Sequence, residues 1–288
     1  MHKLSLLSAL TLSIVVAASA SAQTPANAVE RRTVELKSGV TMQFIQAGPA
    51  EAPPLVLLHG LGDTNRSWAL LLPELAKSHR VYALDQRGHG ATSAPPCCYA
   101  LADLAYDVIA FMDEMRIDRA SVAGHSLGSF VAQSVAAHHP RRVEKLILIG
   151  SADTTVGPEV MEWLWEQVGA FDRGVPATFI EEWQSNPTPV DAEFLAHVKR
   201  ETAAVPPHVW QSIARTLMTE DHRRFVHEIQ APALILWGEK DPAFPLVNQQ
   251  RLQQLLPRAK FKAYGEVGHN THWEIPAQVA EDIREFLE

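Results

Sequence analysis

Cysteine is nearly absent from this sequence. Only Cys97 and Cys98 occur among the 288 residues, and they are adjacent. Two sulfurs without matched histidines do not supply the four ligands of a structural zinc site, so no metal is expected. Neighbouring Cα atoms lie about 3.8 Å apart, which is below the usual range for a disulfide. We therefore expect two packed or loop thiols, with a strained vicinal bridge as the alternative.

An excess of basic charge is also missing. The chain has 25 Lys and Arg against 33 Asp and Glu, a net charge of −8, and the two signs are mixed along its length. Nucleic acids and anionic membrane surfaces attract basic patches, so neither is an expected partner. The partner that remains is a small molecule.

Long apolar runs are missing beyond the first residues. The one candidate, Leu4 to Ala18, is short for a membrane span and is diluted by Ser and Thr. It follows Lys3 and precedes Ala20-Ser21-Ala22, the small-residue pattern of a cleavage site. We predict a signal peptide over residues 1–22 with cleavage before Gln23, and hence a periplasmic or secreted protein without stable membrane insertion.

A dinucleotide-binding fingerprint is incomplete. Gly60-Leu61-Gly62 supplies two of its glycines, but Asn65 stands where the third would be. The acidic residue that should follow a second strand is not in the required place either. No cofactor is therefore expected.

A repeating pattern of short strand-like runs is what the sequence does contain. Eight strands are predicted, at 31–38, 40–48, 55–58, 81–85, 120–123, 145–150, 233–237 and 261–264. The first two surround a Ser38-Gly39 turn, and helical patterns separate most of the later ones. This alternation predicts an α/β fold with a doubly wound, mostly parallel eight-stranded sheet.

The alternation breaks between about Thr154 and Glu228, where helical patches are interrupted by six prolines. We divide the chain into the signal peptide, a core over 23–153, a helical cap over 154–228 and a second core part over 229–288. Most aromatic residues of the cap are expected to pack its own core, and one or two to face a cleft. They include Trp163, Trp165, Phe171, Phe179, Trp183, Phe194 and Trp210.

The pentapeptide Gly124-His125-Ser126-Leu127-Gly128 lies between a predicted strand and a helical pattern. Strand, sharp turn and helix are the context that a G-x-S-x-G nucleophile elbow requires. Such a turn strains the serine backbone and needs small neighbours, and the following helix points its unpaired N–H groups at the same place. The alternative is a glycine-rich turn with an N-cap serine.

Three side chains, Ser126, Asp241 and His269, each follow the end of a predicted strand. Because parallel strands bring their carboxyl ends to one edge of the sheet, we expect these side chains to meet there. His269 would be the base that activates Ser126, and Asp241 would orient the imidazole. His272 is the alternative base, and Asp153 the alternative acid.

With these residues in place, the sequence resembles an α/β-hydrolase-fold enzyme of the large group with a helical cap. The resemblance covers nearly all of the chain after residue 22. It rests on His59-Gly60, Asp85-Gln86-Arg87-Gly88-His89-Gly90, the elbow, Gly238-Glu239-Lys240-Asp241 and Gly268-His269. It implies an oxyanion hole made by the backbone N–H groups of Leu61 and Leu127. Asp85 and His89 are expected to hold their turn by hydrogen bonds.

The expected function is hydrolysis of a carboxylic ester or lactone with an apolar portion, through an acyl-enzyme. Relatives with an aspartate at the elbow are dehalogenases or epoxide hydrolases, and Ser126 argues against both. The same triad could also cleave a carbon–carbon bond or an amide, or run a cofactor-free perhydrolysis. A further alternative is a ligand-binding receptor that has kept the triad.

Overall fold

The structure is a computed structural model that describes residues 29–157 and 159–288. The signal peptide predicted for residues 1–22 and its cleavage site lie outside the described residues. Within the described part, no helix combines the length and the apolar character needed to cross a membrane.

One sheet of eight strands forms the centre of the fold. Its strands are β1 (Glu30–Glu35), β2 (Thr41–Ala47), β3 (Pro54–Leu58), β4 (Arg80–Leu84), β5 (Ala120–His125), β6 (Val143–Ile149), β7 (Ala233–Gly238) and β8 (Lys260–Tyr264). They are ordered β1-β2-β4-β3-β5-β6-β7-β8. The pairs β1–β2 and β2–β4 are antiparallel, and all the others are parallel. The predicted mostly parallel eight-stranded sheet is confirmed.

Helices cover both faces of this sheet and fill the gap between β6 and β7. They are α1 (Leu72–Leu75), α2 (Leu101–Glu114), α3 (Leu127–His138), α4 (Glu159–Val168), α5 (Ala177–Trp183), α6 (Ala192–Ala204), α7 (Pro207–Thr219), α8 (Leu246–Leu255), α9 (Thr271–Glu274) and α10 (Pro276–Leu287). The four helices α4 to α7 lie where the sequence predicted the cap over 154–228.

Strand β3 shows why the sequences of the central strands are continuously hydrophobic. Val56 and Leu58 belong to the core on one face of the sheet, and Leu55 and Leu57 belong to the core on the other. All four side chains are fully buried. Successive strand residues point to opposite faces, so a strand covered on both sides needs apolar residues at every position.

The two cysteines differ from the expectation. The structure joins Cys97 and Cys98 in a disulfide, so the expectation of two packed or loop thiols was wrong and the alternative of a vicinal bridge holds. That prediction rested on the short Cα separation of adjacent residues, which is 3.8 Å in the structure. Cys98 has a φ of +74°, in the left-handed region that non-glycine residues rarely adopt.

Candidate active site

A cavity of about 310 Å³ lies between the carboxyl edge of the sheet and the cap. The sheet side contributes Ser126 and His269, and the cap contributes Met161, Trp163 and Trp183. Binding sites for small molecules are commonly concave, mostly apolar spaces of about this size or larger. Two cap aromatic residues face the cleft, as predicted.

Ser126 is the single residue between the end of β5 and the start of α3. Its φ of +50° and ψ of −119° lie outside the common regions for a side-chain-bearing residue. A Cβ on Gly124 would collide with the carbonyl of Gly128, and a Cβ on Gly128 would collide with the carbonyl of Leu58. Glycine is therefore required on both sides of the turn, which lifts the Ser126 hydroxyl into the cavity.

His269 and Asp241 are joined by a hydrogen bond. The His269 Nδ1–H donates to Asp241 Oδ2 at 2.8 Å, which leaves the lone pair on Nε2. The other oxygen of Asp241, Oδ1, accepts from the backbone N–H groups of Ala243 at 2.8 Å and Phe244 at 3.1 Å. The Asp241 carboxylate is fully buried, whereas the His269 side chain is 20% exposed.

This pairing changes the proton affinity of the imidazole. Burial lowers the pKa of His269, but the charge and the hydrogen bond of Asp241 outweigh burial and raise that pKa above its usual value. The arrangement therefore stabilises an imidazolium, which is what a general base needs after it has taken a proton.

The alternative base, His272, and the alternative acid, Asp153, lie outside the cavity wall. His272 is fully buried and its Nε2 is 3.0 Å from the Ser67 hydroxyl, outside the cavity wall. Asp153 is also fully buried and accepts a hydrogen bond from Asn248 at 2.8 Å. Among the described contacts, the carboxylate that touches His269 is that of Asp241.

The loop after β3 carries the predicted oxyanion donor Leu61. The carbonyl of Gly60, in the same peptide unit as the Leu61 N–H, accepts from His59 Nδ1 at 2.7 Å and from the Asp63 N–H at 3.2 Å. The second predicted donor, Leu127, is the first residue of α3, so its N–H has no carbonyl one turn earlier to bind. Leu61 and Ser126 both line the cavity, and Leu127 directly follows Ser126. Their role as oxyanion donors stays a prediction.

The turn after β4 holds the same loop. His89 donates from Nδ1 to the Arg87 carbonyl at 3.1 Å, and its Nε2 accepts the Gly62 N–H at 3.2 Å. Asp85 accepts from the Asn65 N–H at 2.7 Å. The two side chains hold their turn by hydrogen bonds, as expected, and they also fix the neighbouring loop.

Asp63 is a cavity residue for which sequence reasoning found no role. It is only 4% exposed, and its Oδ1 accepts from Gln184 Nε2 of the cap at 3.0 Å. Its Oδ2 lies 3.9 Å from His125 Nδ1. Burial raises the pKa of this carboxyl to about 7, although the Gln184 hydrogen bond acts in the opposite direction. The sequence signal that could have pointed to Asp63 as a site residue was its position directly after Gly60-Leu61-Gly62.

The pKa of Asp63 predicts a pH dependence of stability that Asp63→Asn should remove. In the unfolded chain this carboxyl ionises near 3.8, whereas in the folded protein its pKa is about 7. Between these values the folded state keeps a proton that the unfolded state has lost, so the free energy of unfolding falls as pH rises. From about pH 5 to about pH 8 the wild type should lose on the order of 3 kcal/mol relative to the variant, since one pKa unit corresponds to about 1.4 kcal/mol.

Urea unfolding of both proteins at the two pH values measures this difference. Asparagine keeps the shape and an oxygen that can accept from Gln184, so the variant is a close match. Identical pH dependence in the two proteins would mean that the Asp63 carboxyl is ionised in the folded state throughout.

Comparison with known proteins shows the family of this chain. Residues 53–276 match the alpha/beta hydrolase fold family, and the chain belongs to that family. It is 30% identical over 256 residues to the dihydrolipoyllysine-residue acetyltransferase component of the acetoin cleaving system of Pseudomonas putida, covering 86% of this chain and 67% of the relative. It is 29% identical to a 2-hydroxymuconate semialdehyde hydrolase of Pseudomonas sp. strain CF600, and the match covers 81% of this chain and 86% of the relative. The crystal structure of the enol-lactonase of Burkholderia xenovorans LB400 superposes with a TM-score of 0.78 at 25% identity. The superposition covers 89% of this chain and 99% of the enol-lactonase.

Proposed function

We propose that this protein is an exported serine hydrolase that cleaves a carboxylic ester or lactone with an apolar portion. The observation that carries the proposal is the 2.8 Å hydrogen bond between His269 and Asp241 in the cavity wall that also contains the strained Ser126. Membership in the alpha/beta hydrolase fold family and the likeness to an enol-lactonase support hydrolysis of a small molecule.

The chemistry follows from the placement of these groups. Ser126 Oγ attacks the substrate carbonyl while His269 Nε2 takes the hydroxyl proton, and Asp241 stabilises the imidazolium that forms. The N–H groups of Leu61 and Leu127 stabilise the charge that develops on the carbonyl oxygen. The imidazolium returns its proton to the leaving alcohol, and water then releases the acyl group by the same steps in reverse order.

The charges of the cavity wall favour a neutral substrate. Among the described residues, the wall contains no Lys or Arg, and its carboxyl groups belong to Asp63 and Glu182. A substrate carboxylate would find no Lys or Arg partner there, and an unpaired charge is costly to desolvate. Much of the remaining wall is apolar and includes Val160, Met161 and Phe244.

A carbon–carbon bond hydrolase with the same triad is the second candidate. The similarity to a protein named 2-hydroxymuconate semialdehyde hydrolase favours it. Amide cleavage, perhydrolysis and a non-catalytic receptor use the same side chains and are further outcomes of the same test.

The test begins with a fluorophosphonate probe, which should label the wild type at Ser126. A panel of p-nitrophenyl esters and lactones then measures kcat/KM. Within the panel, p-nitrophenyl pentanoate and mono-p-nitrophenyl glutarate differ mainly in a terminal carboxylate. We expect the neutral ester to have the higher kcat/KM, because the carboxylate would have to be desolvated in this wall without a Lys or Arg partner. Labelling without turnover of any ester or lactone would refute the proposal in favour of a receptor or another reaction.

Export is proposed from the residues that precede the described part. Lys3, the apolar run and Ala20-Ser21-Ala22 support a mature protein that starts near Gln23. The intact mass of the protein recovered from the periplasm or the medium of an expressing bacterium measures its first residue. An exported protein that still begins at Met1 would contradict the predicted cleavage.

A further inference from the structure

The loop over residues 60–66, which we call the oxyanion loop, is bonded to the cap at several points. The contacts are Trp183 Nε1 to the Leu61 carbonyl at 3.0 Å, Gln184 Nε2 to Asp63 Oδ1 at 3.0 Å, Thr64 Oγ1 to Glu201 at 2.6 Å and Arg66 Nε to Glu201 at 2.7 Å. The cap therefore holds the segment that carries one of the two proposed oxyanion donors.

The contact of Trp183 differs from the others because it reaches the backbone of the proposed donor residue itself. The peptide unit between Leu61 and Gly62 is held at both ends: its carbonyl accepts from Trp183, and its N–H donates to His89 of the core. Leu61 is 3% exposed, so a carbonyl freed from Trp183 has little access to water.

Gly62 makes this peptide easy to turn. Its φ of +86° lies in the left-handed region, and it has no Cβ to limit rotation of the peptide unit before it. A carbonyl without its indole donor would turn towards another partner by changes in ψ of Leu61 and φ of Gly62. The Leu61 N–H belongs to the preceding peptide unit, whose carbonyl accepts from His59 and from the Asp63 N–H, so the change reaches that N–H as a shift of the shared Leu61 Cα.

We propose that Trp183 is a positioning residue that sets the oxyanion hole from the cap. The proposal rests on the proposed function, because it takes the Leu61 N–H as an oxyanion donor. It makes the cap part of the catalytic machinery, because the indole N–H of α5 helps to fix the position of Leu61 and of the donor that it carries.

Trp163 supplies a matched control. Its ring lies nearly parallel to that of Trp183, at an angle of 8° and a centroid distance of 6.3 Å, and both residues line the cavity. The described hydrogen bond to the oxyanion loop comes from Trp183. Trp163→Phe therefore removes a similar indole from the same wall without touching the loop.

The kinetic test compares Trp183→Phe with Trp163→Phe on one neutral ester. We expect Trp183→Phe to lower kcat by about tenfold with a change in KM of less than about twofold, because the lost contact acts on the transition state. The rate of phosphonylation by the fluorophosphonate should fall in parallel. Trp163→Phe should change KM more than kcat. Equal kcat values for the two variants would overturn the proposal.

A spectroscopic test does not depend on turnover. Gly60-Leu61 is the only Gly-Leu pair in the sequence, so labelling with carbonyl-¹³C glycine and ¹⁵N leucine leaves a single amide resonance, that of Leu61, in an HNCO spectrum. Trp183→3-benzothienylalanine keeps the aromatic ring and removes only the N–H. We expect this variant to shift the Leu61 resonance and Trp163→Phe to leave it in place.

Together the two tests distinguish a failure of the proposed role of Trp183 from a failure of the proposed function. An unchanged Leu61 resonance in the benzothienyl variant refutes the role of Trp183, whatever the wild type hydrolyses. A shifted resonance in a protein that turns over no ester supports the contact and refutes the proposed function. Far-UV circular dichroism and thermal unfolding show that each variant is folded when it is measured.

Discussion

Ser126→Ala is expected to abolish ester turnover, with a loss on the order of 10⁶-fold in kcat, the scale measured when the nucleophile of a serine hydrolase is removed. The fluorophosphonate label should disappear with it. Folding should be unaffected, because the hydroxyl faces the cavity and the strained backbone of the elbow is held by the glycines around it rather than by the side chain. Thermal unfolding and kcat on one ester measure the two effects separately.

Ser185→Ala is the control for this experiment. Ser185 also lines the cavity, but it follows α5 of the cap and is exposed. It should keep most of the wild-type activity. Near-wild-type rates for Ser126→Ala would rule out Ser126 as the nucleophile.

Asp241→Asn should lower kcat on the order of 10⁴-fold, as the equivalent change does in the serine-protease triad. The backbone N–H groups near Asp241 explain why the variant should favour the wrong tautomer of His269. Oδ1 accepts two N–H groups, from Ala243 and Phe244, so the oxygen of an asparagine must stay there. Its NH₂ group would then face His269 Nδ1 and force the ring proton onto Nε2, where the base needs a lone pair. The pH profile of kcat/KM measures the same loss across the range in which His269 titrates.

Asp153→Asn is the matched comparison. This carboxyl accepts from Asn248 and makes no described contact with His269, so we expect a loss of less than about tenfold. Both variants are compared on the same ester. A large loss for Asp153→Asn with a small loss for Asp241→Asn would transfer the role of the acid to the loop after β6.

The sheet could be predicted because its signal is local. Strands buried on both faces need an apolar residue at every position, and β3 shows this over four consecutive residues. The elbow is local in the same sense, because the collisions that require Gly124 and Gly128 arise between residues close in sequence or on the adjoining strand β3. Five residues with a strand before them and a helix after them were therefore enough to predict the turn.

The choice between neighbouring candidates had no such local physical basis and was made on the resemblance, through Gly268-His269 and Gly238-Glu239-Lys240-Asp241. His269 and His272 are three residues apart, and only the course of the chain into α9 places one ring in the cavity wall and the other against Ser67. Asp153 and Asp241 both follow parallel strands at the same edge, so spacing alone does not show which carboxyl reaches the imidazole. The disulfide was predicted wrongly because the Cα separation of adjacent residues does not show the backbone conformation at Cys98, whose φ is left-handed.

The sequence by itself determined the α/β fold and the turn that presents Ser126, because each follows from contacts between nearby residues or from burial of whole strands. Only the tertiary structure decided that Asp241 touches His269, that Asp63 is a buried carboxyl with a raised pKa, and that Trp183 holds the Leu61 carbonyl. Trp183 and Leu61 are separated by 122 positions along the chain. Such contacts depend on how the cap lies on the core, and no short stretch of sequence contains that information.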